Sequence, residues 1–136
     1  MATTARALAT ALSVAAVAAS FGACGGTSRP AYCQDRTDLQ DSIKGLADVD
    51  VASGGASAVK AQLQKVESDA KALASSARSD FPSETTAIDT ALTRLKTSVT
   101  QLSASPSAQQ AAAVGLSVQG FANAVNDFVK ASDSKC

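Results

Sequence analysis

Residues 59 to 77 read VKAQLQKVESDAKALASSA, and the spacing of their apolar side chains decides the fold. Apolar residues recur every three or four positions, while lysine, glutamine and glutamate occupy positions between them. This spacing places the apolar side chains on one face of an α-helix. The apolar positions are Val59, Leu63, Val66, Ala70, Leu73 and Ala77. The stretch therefore predicts an amphipathic helix with one buried face.

Three other stretches repeat this period, and no stretch sustains the alternation with a period of two that indicates a strand. The chain is therefore predicted to be all-α, with four helices. The apolar face of the first helix is Tyr32, Arg36, Leu39, Ile43 and Leu46, that of the third is Phe81, Thr85, Ile88, Leu92, Leu95, Val99 and Leu102, and that of the fourth is Ala111, Val114, Val118, Phe121, Val125 and Phe128.

Short linkers separate the four predicted helices. Residues 48–55, DVDVASGG, are predicted to form a polar turn between the first two helices. Residues 79–83, SDFPS, end the second helix, because proline disfavours helical geometry in the residue before it. Ser105 is predicted to cap the fourth helix, with Pro106 at its first position. Such short connections favour antiparallel neighbours, and hence an up-down-up-down four-helix bundle.

The N-terminus has the composition of a secretory signal. No charged residue occurs between Ala7 and Phe21, and this run is too short for a durable membrane span. Residues 21–24, FGAC, fit a lipobox, in which small residues precede a cysteine that is lipidated. We therefore predict a lipoprotein signal peptide at residues 1–23. The alternative is an ordinary cleavage after Ala18, which would release the protein from the cell.

The number of cysteines favours the lipobox. The chain has three, and an odd thiol is a liability in the oxidising environment outside the cell. Lipidation of Cys24 removes one and leaves Cys33 and Cys136. In the predicted bundle, the first helix starts at the end where the fourth helix finishes, so Cys33 and Cys136 are predicted to form a disulfide. Closing a loop of about 100 residues stabilises the fold by about 4–5 kcal/mol in the chain-entropy model.

These assignments divide the chain into three parts. Residues 1–23 are the signal peptide, and residues 24–31 are a lipidated flexible tether that begins CGGTS. Residues 32–136 are predicted to form the helical bundle. The mature chain would have roughly 110 residues, enough for one domain with a modest core.

Composition argues against several classes of function. The chain has no histidine, and it contains no nucleophile elbow, phosphate-binding loop or zinc-protease motif, so we expect no enzymatic activity and no cofactor or metal site. Its 12 basic residues are balanced by 12 acidic residues, so no basic surface for nucleic acid is expected. Asp35, Asp38 and Asp41 would share one face of the first helix, where complementing the helix dipole is favoured over a weak cation patch.

A small ligand pocket is a further hypothesis. Arg36 and Thr85 occupy positions on apolar faces, and both lie near the predicted disulfide. A pocket lined by Tyr32, Arg36, Thr85 and Phe128 would let the arginine pair with an anionic group. The favoured interpretation is that Arg36 lays its aliphatic stem along the core and projects its charge into water.

Gly115 and Gly120 lie inside the predicted fourth helix, where glycine is unfavourable. They are five positions apart, so they do not form a GxxxG face. We predict that they allow close packing of the helix backbone, with local flexibility as the alternative.

The chain resembles small alanine-rich lipoproteins of high-GC Gram-positive bacteria. The resemblance rests on the alanine-rich signal that ends in residues 22–26, GACGG, on Tyr32-Cys33 at the start of the folded part, and on the terminal cysteine. These proteins have no common assigned activity. The resemblance implies lipid anchoring to the outer face of the cytoplasmic membrane and a helical domain closed by a disulfide.

We expect the domain to act as an interaction or scaffold module, with an envelope protein or polymer as its partner. The alternative is a carrier or sensor of a small amphiphile held between helices near Arg36. A large cavity bordered by Arg36 would favour the carrier, and a fully packed interior would favour the scaffold. A structural coat protein is a third hypothesis.

Overall fold

The computed structural model describes residues 28–136, and for residues 51 and 52 it describes the backbone only. Within that range the chain forms four α-helices and one short 3-10 turn, with no strand. These are α1 (Ala31–Ala47), α2 (Val51–Ala77), α3 (Pro82–Ala104), α4 (Ala108–Ser132) and the 3-10 turn (Asp133–Lys135). The predicted signal peptide and Cys24 lie outside the described residues. Helix α1 begins at Ala31, so the last residue of the predicted tether is helical.

The helices bury the faces that their periodicity predicts, which confirms the all-α bundle. Every predicted apolar position of α2 is buried, and the same holds in α3 from Thr85 to Leu102. Phe121 and Phe128 of α4 are fully buried. Consecutive helices pack against each other, and α1 also contacts α4, so the four helices close into a ring around one core.

The disulfide predicted between Cys33 and Cys136 is confirmed. The two Cα atoms are 5.6 Å apart, and 103 positions separate the residues in the chain. Cys33 lies in the first turn of α1, and Cys136 follows the 3-10 turn after α4. The bond therefore joins α1 to the end of α4 at one end of the bundle, which we call the disulfide end; the other is the open end.

The link between α1 and α2 is shorter than predicted. Residues 48–55 do not form a turn throughout, because α2 already begins at Val51. Asp50 starts this first helical turn, since Oδ1 accepts a hydrogen bond from the backbone N–H of Ser53 at 3.3 Å. Gly55 then interrupts the helix with φ 62° and ψ −171°, a backbone conformation that is essentially restricted to glycine. Most of the predicted turn is therefore helical, and the helix is interrupted at Gly55.

The predicted start of α4 at Ser105 and Pro106 is wrong. Ser105 instead follows the last turn of α3, where its N–H donates to the carbonyl of Gln101 at 2.9 Å. Ser107 is the N-cap of α4, and its Oγ accepts from the backbone N–H of Gln110 at 3.1 Å. Ser107 and Gln110 have the spacing of a capping box, a stronger signal than a lone serine before proline.

Candidate functional site

Arg36 lies in α1 and holds the C-terminal end of α4. Its Nη1 donates hydrogen bonds to the Val129 carbonyl at 3.3 Å and to Oγ of Ser132 at 3.1 Å, and it lies 3.8 Å from a carboxylate oxygen of Asp133. Only 16% of the Arg36 side chain is exposed. The carbonyl groups at a helix C-terminus carry partial negative charge, so a guanidinium here satisfies them directly. The charge of Arg36 is therefore directed at this chain's own helix end.

One atom of Arg36 remains without a partner. Its Nε is buried and has no hydrogen-bond partner among the described residues. Leaving a buried donor unsatisfied destabilises the folded state, so the contacts of Nη1 must offset this cost. Because the side chain is also partly exposed, the arrangement resembles a helix cap more than a closed binding pocket.

Tyr32 and Phe128 meet in an aromatic cluster at the disulfide end. Together with Phe81 they form three edge-to-face pairs, with ring centroids 5.2 to 6.2 Å apart. This geometry is favourable because the positive edge of one ring meets the negative face of the next. Tyr32 and Phe128 are buried, and Phe81 is half-buried. The three rings pack the end of the core between α1, α3 and α4.

Thr85 is buried beside the start of α3, but its hydroxyl is used locally. Oγ1 donates within its own helix, to the carbonyl of Phe81 at 2.9 Å or of Pro82 at 3.2 Å. The structure therefore brings Tyr32 and Phe128 into ring contact, while the polar atoms of Arg36 and Thr85 bond to helix ends. Whether these residues bind a ligand stays a prediction.

A cleft that the sequence analysis missed lies at the open end, between α1 and α4. It has a volume of about 690 Å³, within the usual range for ligand and docking sites. Its walls come from the last turns of α1 and from α4, with Val59 of α2 also lining it. The residues that define it best are Ile43, Leu46, Val49, Val114, Gly115 and Leu116. The lining contains no charged side chain.

The cleft forms where the ring of helices is least tightly closed. Helices α1 and α4 contact each other less than the other neighbouring pairs do. Their contact is secured at the disulfide end by the Cys33–Cys136 bond and by Arg36, whereas the cleft begins at Ile43 and extends towards the open end. A second apolar cleft of about 630 Å³ adjoins it at Ala111, between the start of α2 and the start of α4.

Leu116 is the most unusual residue of this region. It is 70% exposed and is the single large hydrophobic side chain with high exposure in the part of the chain that the structure describes. It borders the α1–α4 cleft and also a smaller cleft on the α3 side. A signal was present in the sequence: residues 97–126 contain no charged side chain, which is uncommon for a surface helix.

The surface formed by α2 and α3 differs sharply, because it carries ion pairs. Nζ of Lys96 lies 2.8 Å from Oε1 of Glu67, and Lys71 lies 3.0 Å from the same oxygen. The hydrogen bond from Lys96, followed by that from Lys71, holds the pKa of Glu67 below its ordinary value. Arg78, directly after α2, pairs with Asp89 of α3 at 3.4 Å. The Lys96–Glu67 pair joins α3 to α2, whereas the Lys71–Glu67 pair lies within α2.

The aspartates of α1 do not act as one group. A carboxylate oxygen of Asp35 accepts from the Ser76 hydroxyl, Asp38 accepts from Gln34 at 2.9 Å, and Asp41 pairs with Lys44 at 3.2 Å. Between residues 28 and 136, no group of three or more potential metal ligands is close enough to hold an ion. None of the helices described there is long and apolar enough to cross a bilayer.

A polar cluster also links α1 to α2. The hydroxyl of Ser42, which is fully buried, donates to Asp69 and accepts from Nζ of Lys65 at 3.1 Å. Gln62 donates to the Ser42 carbonyl at 3.2 Å. These hydrogen bonds cross the interface and align α1 with α2.

Comparison with known proteins adds no relative: no family model, no curated protein and no solved structure matches this chain.

Proposed function

We propose that the protein is a lipoprotein of the cell envelope, anchored through Cys24 to the outer face of the cytoplasmic membrane. Its helical bundle acts there as an interaction or scaffold module for an envelope protein or polymer. It works without an enzymatic reaction and does not bind nucleic acid. Residues 24–30 connect the lipid to the bundle.

The observation that carries this proposal is the disulfide between Cys33 and Cys136. Disulfides that staple small domains persist in oxidising compartments, which favours a location outside the cytoplasm. The bond also uses two of the three cysteines, so Cys24 is the odd one. A cysteine without a disulfide partner, preceded by small residues and an apolar run, is well suited to lipid attachment.

The orientation of the bundle supports a presenting role. The described chain enters α1 at Pro30, in the turn that contains Cys33. A tether attached there would hold the disulfide end towards the membrane and direct the open end away from it. The open end would then face the envelope, where a partner is accessible.

The scaffold is favoured over the amphiphile carrier near Arg36. The carrier requires space and a free charge at the disulfide end, whereas Tyr32, Phe81 and Phe128 pack there and Arg36 bonds to α4. The large apolar cleft lies at the other end of the bundle. A carrier would therefore have to use residues other than those proposed from the sequence.

Cell fractionation combined with intact-mass measurement tests this function. The native protein should be found in the membrane, heavier than the unmodified mature chain by the mass of its acyl groups. The Cys24→Ala variant should appear in the medium, folded and with its disulfide intact. Ser28→Ala, which alters the same tether without touching the lipid site, should remain in the membrane. An unmodified residue 24, or a membrane-bound Cys24→Ala variant, would refute the anchor.

A further inference from the structure

The outer face of α4 lacks the charged groups that cover the α2–α3 surface. Between residues 97 and 126 every polar side chain is neutral, and those of Gln119 and Asn123 are exposed. A partner with a charged surface would find no counter-charge there and would lose hydration on docking. An identical face avoids this penalty at the α1–α4 cleft, whose lining has no charged side chain, while Arg94 of α3 borders Leu116 on the side away from that cleft.

The same face combines a protruding side chain with a cavity. Leu116 projects 70% of its surface into solvent, and it stands on the rim of the 690 Å³ cleft. A single exposed leucine is ordinary on a protein surface, but an exposed leucine beside an apolar cleft of this size is a typical element of a docking site. Because Leu116 and the cleft lie on one surface, each of two copies can insert its Leu116 into the cleft of the other.

The glycines of α4 fit this interpretation and correct the sequence prediction. A Cβ atom built on Gly115 or on Gly120 meets nothing within 4 Å, so neither glycine is needed for packing among residues 28–136. Glycine nevertheless weakens a helix relative to alanine. At Gly115 its smallness instead widens the α1–α4 cleft and lets another molecule approach the helix backbone closely.

We propose that this face of α4 is the interface of a homodimer, in which Leu116 of each copy enters the α1–α4 cleft of the other. Such a contact is isologous and closes with two-fold symmetry. The cleft is larger than one leucine side chain, so Ala112 and Gln119 of the second copy would enter beside it. This inference deepens the proposed interaction role and rests on it, but it does not require the lipid.

The tether of the same chain is a poor occupant of the cleft. The described chain begins at the disulfide end, and Leu46 on the cleft wall is about 24 Å along α1 from Pro30, at 1.5 Å per residue. If the mature chain starts at Cys24, the six residues before Pro30 span about 20 Å when fully extended. Fully extended along α1, they reach the near edge of the cleft at Ile43, about 20 Å away, but not Leu46 or the rest of the cleft. A second copy has no such limit.

Membrane attachment would favour this contact. Copies anchored in one membrane are confined to a thin layer, which raises their effective concentration relative to free solution. The disulfide ends of both copies then face the membrane. The two-fold axis is therefore parallel to the long axes of the bundles, and the two α4 helices run parallel to each other. An interface of moderate affinity is sufficient under these conditions.

Sedimentation velocity and native mass spectrometry of the purified full chain test the proposal, with detergent present if the chain is acylated. At roughly 100 µM we expect a dimer. Leu116→Lys should raise the Kd at least about tenfold, the effect of losing a central interface residue. Gln101→Lys is the matched control, because it adds the same charge at an exposed position of α3 and should leave the dimer intact.

A second variant separates association from folding. Gly115→Leu should fill the cleft and abolish the dimer. At a protein concentration low enough to dissociate the native dimer, its melting temperature should not fall, since its Cβ meets open space. The proposal is overturned if the native chain is monomeric, if Leu116→Lys and Gln101→Lys behave alike, or if the cleft holds a co-purified small molecule or a different protein. Leu116→Lys should leave membrane attachment unchanged, and Cys24→Ala should leave the dimer unchanged, so a failure of either proposal is recognised separately.

Discussion

Nη1 of Arg36 donates a hydrogen bond of 3.1 Å to Oγ of Ser132, a residue 96 positions later in the chain. The contact joins the second turn of α1 to the last turn of α4. It lies next to the disulfide, so covalent and polar contacts secure the same end of the bundle. Among the described residues, neither kind of contact joins α1 to α4 at the opposite end, where the cleft opens.

Replacing Arg36 by alanine should lower the free energy of unfolding by about 1–2 kcal/mol, because α4 loses its charged C-terminal partner. Urea denaturation of the oxidised protein measures this loss. Arg78→Ala is the control, since Arg78 is exposed and its pair with Asp89 should contribute less than about 1 kcal/mol. Equal losses in the two variants would show that Arg36 is an ordinary surface residue.

Replacing Cys136 by alanine should lower the free energy of unfolding by about 3–5 kcal/mol, because the unfolded chain regains the freedom that the disulfide removes. Thermal unfolding with and without reductant measures the effect. The double variant Cys33→Ala with Cys136→Ala should have the same free energy of unfolding as the single variant. Agreement would show that the thiol left at Cys33 does not cause the loss. A loss below about 1 kcal/mol would contradict the stabilising role.

The same substitution at two glycines should have opposite effects. Gly115→Ala should raise the free energy of unfolding by roughly 0.5–1 kcal/mol, since alanine favours the helix and its Cβ meets nothing. Gly55→Ala should lower it by about 1–3 kcal/mol, because alanine does not tolerate φ 62° with ψ −171°.

Denaturation of the two glycine variants at low protein concentration measures both changes without a contribution from association. A destabilised Gly115→Ala protein would mean that another part of the same chain covers this side of α4.

The contribution of Glu67 should depend on pH. Lys96 and Lys71 lower its pKa in the folded state, so its stabilising effect is complete above the ordinary glutamate pKa of about 4.3 and is lost as the pH falls through the folded value. Glu67→Gln should therefore reduce stability at neutral pH, by less than about 1 kcal/mol, and the difference from the native protein should shrink in acid.

Denaturation at several pH values checks the Glu67 prediction. Asp127→Asn, which breaks an exposed pair with Lys130 in α4, should show a smaller difference. A difference between Glu67→Gln and the native protein that stays constant down to low pH would be inconsistent with a lowered pKa.

Local patterns account for the parts of the fold that were predicted correctly. The period of apolar residues places Leu73, Ile88 and Phe121 in the core without knowledge of their neighbours. Short linkers then make successive helices antiparallel, and this order brings Cys33 to Cys136. The errors at residues 48–55 and at Ser105 concern helix ends. Several neighbouring residues can cap a helix there, and the free-energy differences between the alternatives are small.

The contacts of the candidate-site residues could not be predicted from local patterns, because they join residues that are far apart in the sequence. Arg36 was predicted to border a pocket or to project into water, whereas its partner is the end of α4, far away in sequence. Gly115 and Gly120 were expected to pack closely, and the fold leaves them open. Both outcomes depend on which surfaces meet after the helices assemble.

The sequence by itself determined the number of helices, the faces they bury and the pairing of the cysteines, because each follows from spacing along the chain. Tertiary structure alone decided that α1 and α4 meet closely at one end and leave an apolar cleft at the other, with Leu116 on its rim. The physical reason is that the distance between two helices depends on the side chains that all four helices contribute at each level of the core.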